Sequence, residues 1–287
     1  MKTKSKKTFF FRMEENMNEL DLEIALDRYD RVLKINPDDK STLLTRGFTK
    51  LKLGDMPGAK ADFDHVIGLS PEQPMPYFFR GFMKSIAEDF EGAENDYTRC
   101  IQIDSKHCEA IFFRGCTKSL RGDLKGAIID YNRALELKPD FSAALYARAE
   151  DKKELGEFRD AMADYTKFLA VNPDCVEAYS NLALLKFTTG DLEGALAANQ
   201  KILDLYPDCI DALYNLGATK CTLKDFKTGM KALDRIIELE PEHAAAYMRR
   251  GMAKLSQGEV EAGNRDLRRA VDLGLEEARE LLDLGLN

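Results

Sequence analysis

The chain has 287 residues, 44% hydrophobic and 32% charged, with 50 acidic against 42 basic side chains and a net charge of −8. That is enough apolar material for a folded body, and no run approaches the roughly 18 apolar residues of a membrane span. An acidic balance lacks the basic face that phosphate neutralisation needs, so nucleic acid is excluded as a general partner and membrane insertion is not expected.

At the N-terminus, MKTKSKKTFFFRMEEN places basic residues before an apolar patch, but Thr8 to Phe11 is far shorter than the roughly 7–15-residue core of a secretory signal. The chain therefore reads as cytoplasmic. Residues 1–39 are expected to form an irregular first hairpin. Its second half carries Ala25, Tyr29 and Pro37 in the places that later units repeat, while its first half has Met13 where the others have Gly or Ala.

From Lys40 onward the pattern is regular. Pro37, Pro71, Pro139, Pro173, Pro207 and Pro241 stand 34 or 68 residues apart, with Ser105 filling the gap. Self-similarity at such a period marks a repeat array. Seven units follow, 40–73, 74–107, 108–141, 142–175, 176–209, 210–243 and 244–277, and residues 276–287 read as a final helix covering the open end through Ala278, Leu281 and Leu282.

Each unit predicts two amphipathic helices around a short turn. Position 8 is always tiny (Gly47, Gly81, Gly115, Ala149, Ala183, Gly217, Gly251). Glycine inside a helix costs about 1 kcal/mol relative to alanine, so a close helix crossing is needed to explain it. The second helix supplies Ala59, Ala93, Ala127, Ala161, Ala195, Gly229 or Gly263, then a ring or leucine at position 24 in every unit except that of Asn199. Turn pairs such as Gly54-Asp55 and Gly122-Asp123 end the first helix. Glu88-Asp89 and Lys224-Asp225 lack the glycine and are expected to be looser. Asp38, Asp140 and Asp174 are the expected caps of the following helices.

These residues resemble tetratricopeptide repeats over positions 6 to 277, seven full and one degenerate. Position 4 (Leu43, Tyr77, Ile111, Leu145, Tyr179, Leu213, Tyr247), where the family favours tryptophan, and the uniform lysine at position 11, where it favours tyrosine, depart from the family pattern. The resemblance implies an all-α, right-handed superhelical solenoid of antiparallel helical hairpins with a concave, peptide-binding face. It places Phe48, Phe78, Phe82, Phe112, Tyr146, Phe187, Tyr214 and Met252 in that groove, with Glu109, Glu150, Glu177 and Asp211 among them. Phe78, Phe82 and Phe112 are expected to line one open patch, so changing Phe78 and Phe112 to Ala should spare the fold. The patch suits an apolar segment with basic flanks from another protein, and self-association is compatible with it.

One regularity comes from comparing the units with each other. Arg46, Arg80, Arg114, Arg148 and Arg250 at position 7 accompany Asp62, Asp96, Asp130, Asp164 and Asp266 at position 23. In the two exceptions both change, Leu182 with Ala198 and Leu216 with Ala232. Joint loss points to an ion pair between the helices of one hairpin, because a buried charge without its partner is expensive. The lysines at position 11 persist where the Asp is missing, so a different partner is expected for them, and the end of a helix suits a cation.

Other functions fare worse. A chaperone adaptor holding a C-terminal carboxylate needs, by resemblance, Lys and Asn at positions 5 and 9 and further Lys and Arg later. Here those places hold Leu44 and Phe48, Phe78 and Phe82, Phe112 and Cys116, while Asn181 and Asn215 stand alone. Cys100, His107, Cys108 and Cys116 lack metal-ligand spacing, and Cys175 and Cys209 fall in equivalent places too far apart for a disulfide. No cofactor, metal or catalytic residue is predicted. The expected role is a scaffold or adaptor rather than an enzyme.

Overall fold

The structure, a computed structural model, describes residues 19–284. The first half of the expected N-terminal hairpin, Met13 included, and residues 285–287 lie outside the described residues. Sixteen α-helices and no strand occur among the described residues.

Backbone contacts divide the chain into two compact units, one ending at Ala161 and one beginning at Met162. The first contains α1 (Glu19–Ile35), α2 (Lys40–Lys52), α3 (Met56–Leu69), α4 (Pro74–Ile86), α5 (Phe90–Ile103), α6 (Cys108–Leu120), α7 (Leu124–Leu137) and α8 (Ser142–Glu154). α9 (Phe158–Val171) carries the boundary. The second unit continues with α10 (Val176–Thr188), α11 (Leu192–Leu205), α12 (Ile210–Thr222), α13 (Phe226–Leu239), α14 (Ala244–Ser256), α15 (Val260–Asp272) and α16 (Glu277–Leu284).

Each unit is a stack of hairpins. α2 packs on α3, α4 on α5, α6 on α7, α10 on α11, α12 on α13 and α14 on α15, and each second helix also meets the next first helix, as α5 meets α6 and α11 meets α12. Neighbouring first helices touch as well, α2 with α4, α4 with α6, α6 with α8, and α12 with α14. The first helices of a unit therefore share one face. α16 closes the second unit by laying Leu281 and Leu282 against Leu267, Ala270 and Ala278.

The small residue at position 8 is a packing requirement. A Cβ on Gly115 would stand 2.7 Å from the Tyr131 ring and 3.2 Å from the Ala127 carbonyl oxygen. In the hairpin α10–α11 the corresponding places hold Ala183 and the short Asn199, whose Nδ2 donates to the Ala195 carbonyl at 3.0 Å.

Turn and cap chemistry corrects two expectations. Glu88 and Lys224 adopt φ 63°, the left-handed conformation that Gly54, Gly122, Gly156, Gly190 and Gly258 hold in the other turns. Those turns keep the common shape and force a side-chain-bearing residue into it, so they are strained rather than loose. The caps of the first helices are Asp39, Gln73, His107, Phe141, Cys175, Cys209 and His243, not Asp38, Asp140 or Asp174. Nδ1 of His107 accepts from the Ala110 N–H at 3.2 Å and Nδ1 of His243 from the Ala246 N–H at 3.1 Å, while Asp38 faces His65 at 2.9 Å. Second helices are capped by Asp55, Asp89, Asp123, Asp191 and Asp225, each accepting from the backbone N–H three residues on.

Candidate functional site

The first-helix face is the candidate site, and the two units build it differently. In the first unit the rings at positions 5 and 9 are covered by a ring at position 6 of the next first helix. Phe79 lies 5.0 Å from Phe48 and 5.4 Å from Phe63; Phe113 lies 5.7 Å from both Phe78 and Phe82 and stacks on Tyr97 at 6.2 Å. Phe112 is covered in turn by Phe141 at 4.8 Å. Phe78 is 2% exposed, Phe112 5% and Phe82 9%. These three rings therefore form inter-repeat core instead of the open patch expected of them, because each sits under a neighbour's ring. Phe48 stays half-buried with the Lys52 ammonium 4.8 Å from its ring centre, and Tyr146 is also half-buried.

In the second unit the covering rings disappear. Position 6 holds Asn181, Asn215 and Arg249 where the first unit has Phe79 and Phe113. On α10, Leu184 is 59% and Phe187 48% exposed. They lie three residues apart and so share one stripe of the helix. Tyr214 on α12 is half-buried, its hydroxyl accepting from Arg249 Nε at 3.3 Å and its ring 5.9 Å from His243. Met252 packs, half-buried, against the α15–α16 cluster. Glu177 and Asp211, both exposed, stand in the first turns of α10 and α12 and make that end of the face acidic.

Behind the face runs a ladder of charge. Arg46 donates from Nη2 to Asp62 at 2.6 Å, Arg80 to Asp96 at 2.6 Å, Arg114 to Asp130 at 2.6 Å and Arg250 to Asp266 at 2.7 Å, each also binding the second carboxylate oxygen through Nε. The same guanidinium reaches back to the preceding hairpin, Arg46 to Asp30, Arg80 to Asp64, Arg114 to Thr98, Arg148 to Asn132 and Arg250 to Asp234. Asp164 is buried on α9. Sequence reasoning missed this backward reach, which ties one repeat to the next.

The lysine expectation is overturned in part. Lys50, Lys84, Lys118 and Lys254 bind the same Asp as the arginine, at 2.8–2.9 Å. Only where that Asp is absent do Lys186 and Lys220 turn to the capping Asp191 and Asp225, both at 3.3 Å. The ammonium follows whichever carboxylate the hairpin offers, so these lysines are engaged within the hairpins. A second series is formed by Arg99 reaching Glu72, Arg133 the Ser105 carbonyl and Arg235 Asp208, each fastening a second helix to the turn before its hairpin.

The cysteines carry no comparable arrangement. None of the six forms a disulfide, and among the described residues no group of three His, Cys, Asp or Glu side chains could hold a metal ion. Burial pushes the Cys100 thiol up to about 12, with Asp104 adding to it, and burial likewise raises Cys108. Such thiols are poor nucleophiles at neutral pH.

Tandem antiparallel hairpins with a small–small crossing define a helical-repeat protein. Models of the tetratricopeptide repeat match residues 109–141, 146–208 and 211–243. Over these residues the chain carries tetratricopeptide repeats. Among solved structures it is similar to MamA, 24% identical over 57% of this chain and 96% of that one with a TM-score of 0.52. It is also similar to YrrB, described as a TPR protein with an unusual peptide-binding site, at 22% identity over 64% and 95% with a TM-score of 0.57. A tetratricopeptide-repeat protein from Parabacteroides merdae matches at 22% identity over 86% and 99%, TM-score 0.53. At these identities the likeness speaks for the fold. No curated protein matches the chain. Among the described residues no helix is long and apolar enough to cross a membrane.

Proposed function

We propose that this chain is a protein-interaction scaffold or adaptor without catalytic activity, and that it takes a peptide segment of its partner on the first-helix face of the second unit. The carrying observation is the exposed pair Leu184 and Phe187 on α10. A stable fold has no need to leave a leucine and a phenylalanine side by side in water, where burial of each is favourable by about 1.5–3 kcal/mol. Glu177 and Asp211, in the first turns of α10 and α12, favour Lys or Arg flanking the partner's apolar anchors and disfavour an acidic tail. Of the groove residues named from sequence, Phe187 and Tyr214 serve this face; Phe78, Phe82 and Phe112 serve the core.

The test is an array of synthetic peptides that pair aromatic or aliphatic anchors with basic or acidic flanks, probed with the full chain. Peptides with basic flanks should bind, and the double variant Leu184→Ser/Phe187→Ser should lose them by about tenfold or more while its melting temperature holds. Equal binding by the double variant would place recognition elsewhere, and preference for acidic flanks would overturn the charge argument.

A further inference from the structure

The α10 face requires apolar side chains accompanied by positive charge, and the chain itself contains such a segment. Residues 2–12, KTKSKKTFFFR, hold Phe9, Phe10 and Phe11 between Lys7 and Arg12, with Lys2, Lys4 and Lys6 before them and no acidic residue. In a chain of net charge −8 this is a concentration of positive charge beside three consecutive rings. The other runs of adjacent rings, Tyr77-Phe78-Phe79 and Phe112-Phe113, are already committed to the buried packing between helices.

The receiving face is prepared in two ways. Leu184 and Phe187 are open, and the base on the same helix, Lys186, is drawn away to Asp191. Glu177 and Asp211 therefore face an incoming segment without a competing cation from that lysine. We infer that residues 2–12 of one copy dock on the α10 face of a second copy, so that the chain self-associates head to tail. This rests on the reading of the α10 face as the peptide-binding face. The rings cover Leu184 and Phe187, and the lysines answer Glu177 and Asp211. Because two different patches meet, the contact is heterologous: association continues past a dimer unless the ring of copies closes. Raised salt weakens it, since part of the attraction lies between exposed charges.

A rival place for the rings exists in the same copy, since α1 leaves Leu20 64% and Ile24 46% exposed. Sedimentation of the full chain over rising concentration separates the two. The wild type should grow past a dimer, and a peptide of residues 1–14 should dissolve the assembly. Both Leu184→Ser/Phe187→Ser and Phe9→Ser/Phe10→Ser/Phe11→Ser should shift the association midpoint by about tenfold or more. Mixing the two variants is the sharpest arm, because one keeps the segment and the other the face: together they should form a one-to-one dimer that grows no further. A wild type that stays monomeric, association untouched by both variants, or a mixture that forms no dimer overturns the inference. So does a ring variant that loses melting temperature but not association, which would assign the rings to α1. If array peptides bind the α10 face while the chain remains monomeric, this inference fails and the proposed function stands; if neither they nor the peptide of residues 1–14 bind there, both fail.

Discussion

The stretch from α4 to α7 and the stretch from α10 to α13 share one repeat and use its first-helix face in opposite ways. In α4–α7 the rings at positions 5 and 9 lie beneath Phe113 and Phe141, and Arg80, Arg114 and their aspartates hold the hairpins together. In α10–α13 the arginine–aspartate pairs are replaced by Leu182 with Ala198 and Leu216 with Ala232, and Leu184 and Phe187 stand in solvent. Leu216 and Ala232 join an apolar cluster with Leu213, Leu233 and Ile236 that takes over the cohesion. A repeat can thus spend its face on its neighbour or leave it for a partner, according to whether the following residues lay a ring over it.

The largest effect that could break this comparison comes from the rings. Phe78→Ala and Phe112→Ala should each cost about 3–5 kcal/mol, because both vacate a closed site. Phe187→Ala, by contrast, should move stability by less than about 0.5 kcal/mol. Chemical denaturation of the three single variants measures the difference. Equal losses would mean that Phe187 is core and that the α10 face is not open.

Next comes the ladder. Arg114→Leu leaves Asp130 buried with Lys118 alone and should cost about 3 kcal/mol, whereas Arg114→Leu combined with Asp130→Ala should be nearly neutral. The double variant copies what α10–α11 already carries, and Lys118 can turn to Asp123 as Lys186 turns to Asp191. A double-mutant cycle with additive losses would remove the coupling.

Acid distinguishes the hairpins further. Burial raises the Asp266 carboxyl, but the hydrogen bonds from Arg250 and Lys254 outweigh it and hold the pKa below its ordinary 3.8. A depressed folded-state value means stability that is complete above the unfolded value and disappears as pH falls through the folded one. Hydrogen exchange in α14–α15 should therefore accelerate below about pH 4, and Asp266→Asn, although less stable at neutral pH, should flatten that acid limb. α12–α13, with Ala232 in the corresponding place, should respond less. An unchanged acid limb in Asp266→Asn would show that this carboxylate does not drive the acid loss.

The smallest effect belongs to the turns. Glu88→Gly and Lys224→Gly should each stabilise by about 1 kcal/mol, since glycine adopts the left-handed conformation without a Cβ penalty. Looser turns in the wild type would instead give no gain, or a loss from chain entropy. Differential scanning calorimetry on the two variants resolves the sign.

The period of 34, the small residue at position 8 and the paired gain and loss of Arg and Asp were readable in the sequence because repetition makes each unit a control for the others. The unit starts from Lys40 to Ala244 came from the same source and coincide with the first residues of the first helices. What the sequence could not decide was exposure. Phe78 and Phe187 are both aromatic and occupy the same stripe of a first helix, yet one is 2% and the other 48% exposed, because solvent access depends on what the next helix lays over the ring. The partner of Lys118 was hidden for the same reason: Asp123 and Asp130 both follow it in the sequence, and only the crossing of α6 on α7 brings Asp130 to 2.8 Å. Local pattern fixes which face a side chain points to; whether a neighbour then covers that face is a property of the stacked hairpins, and it is there that core and binding surface part.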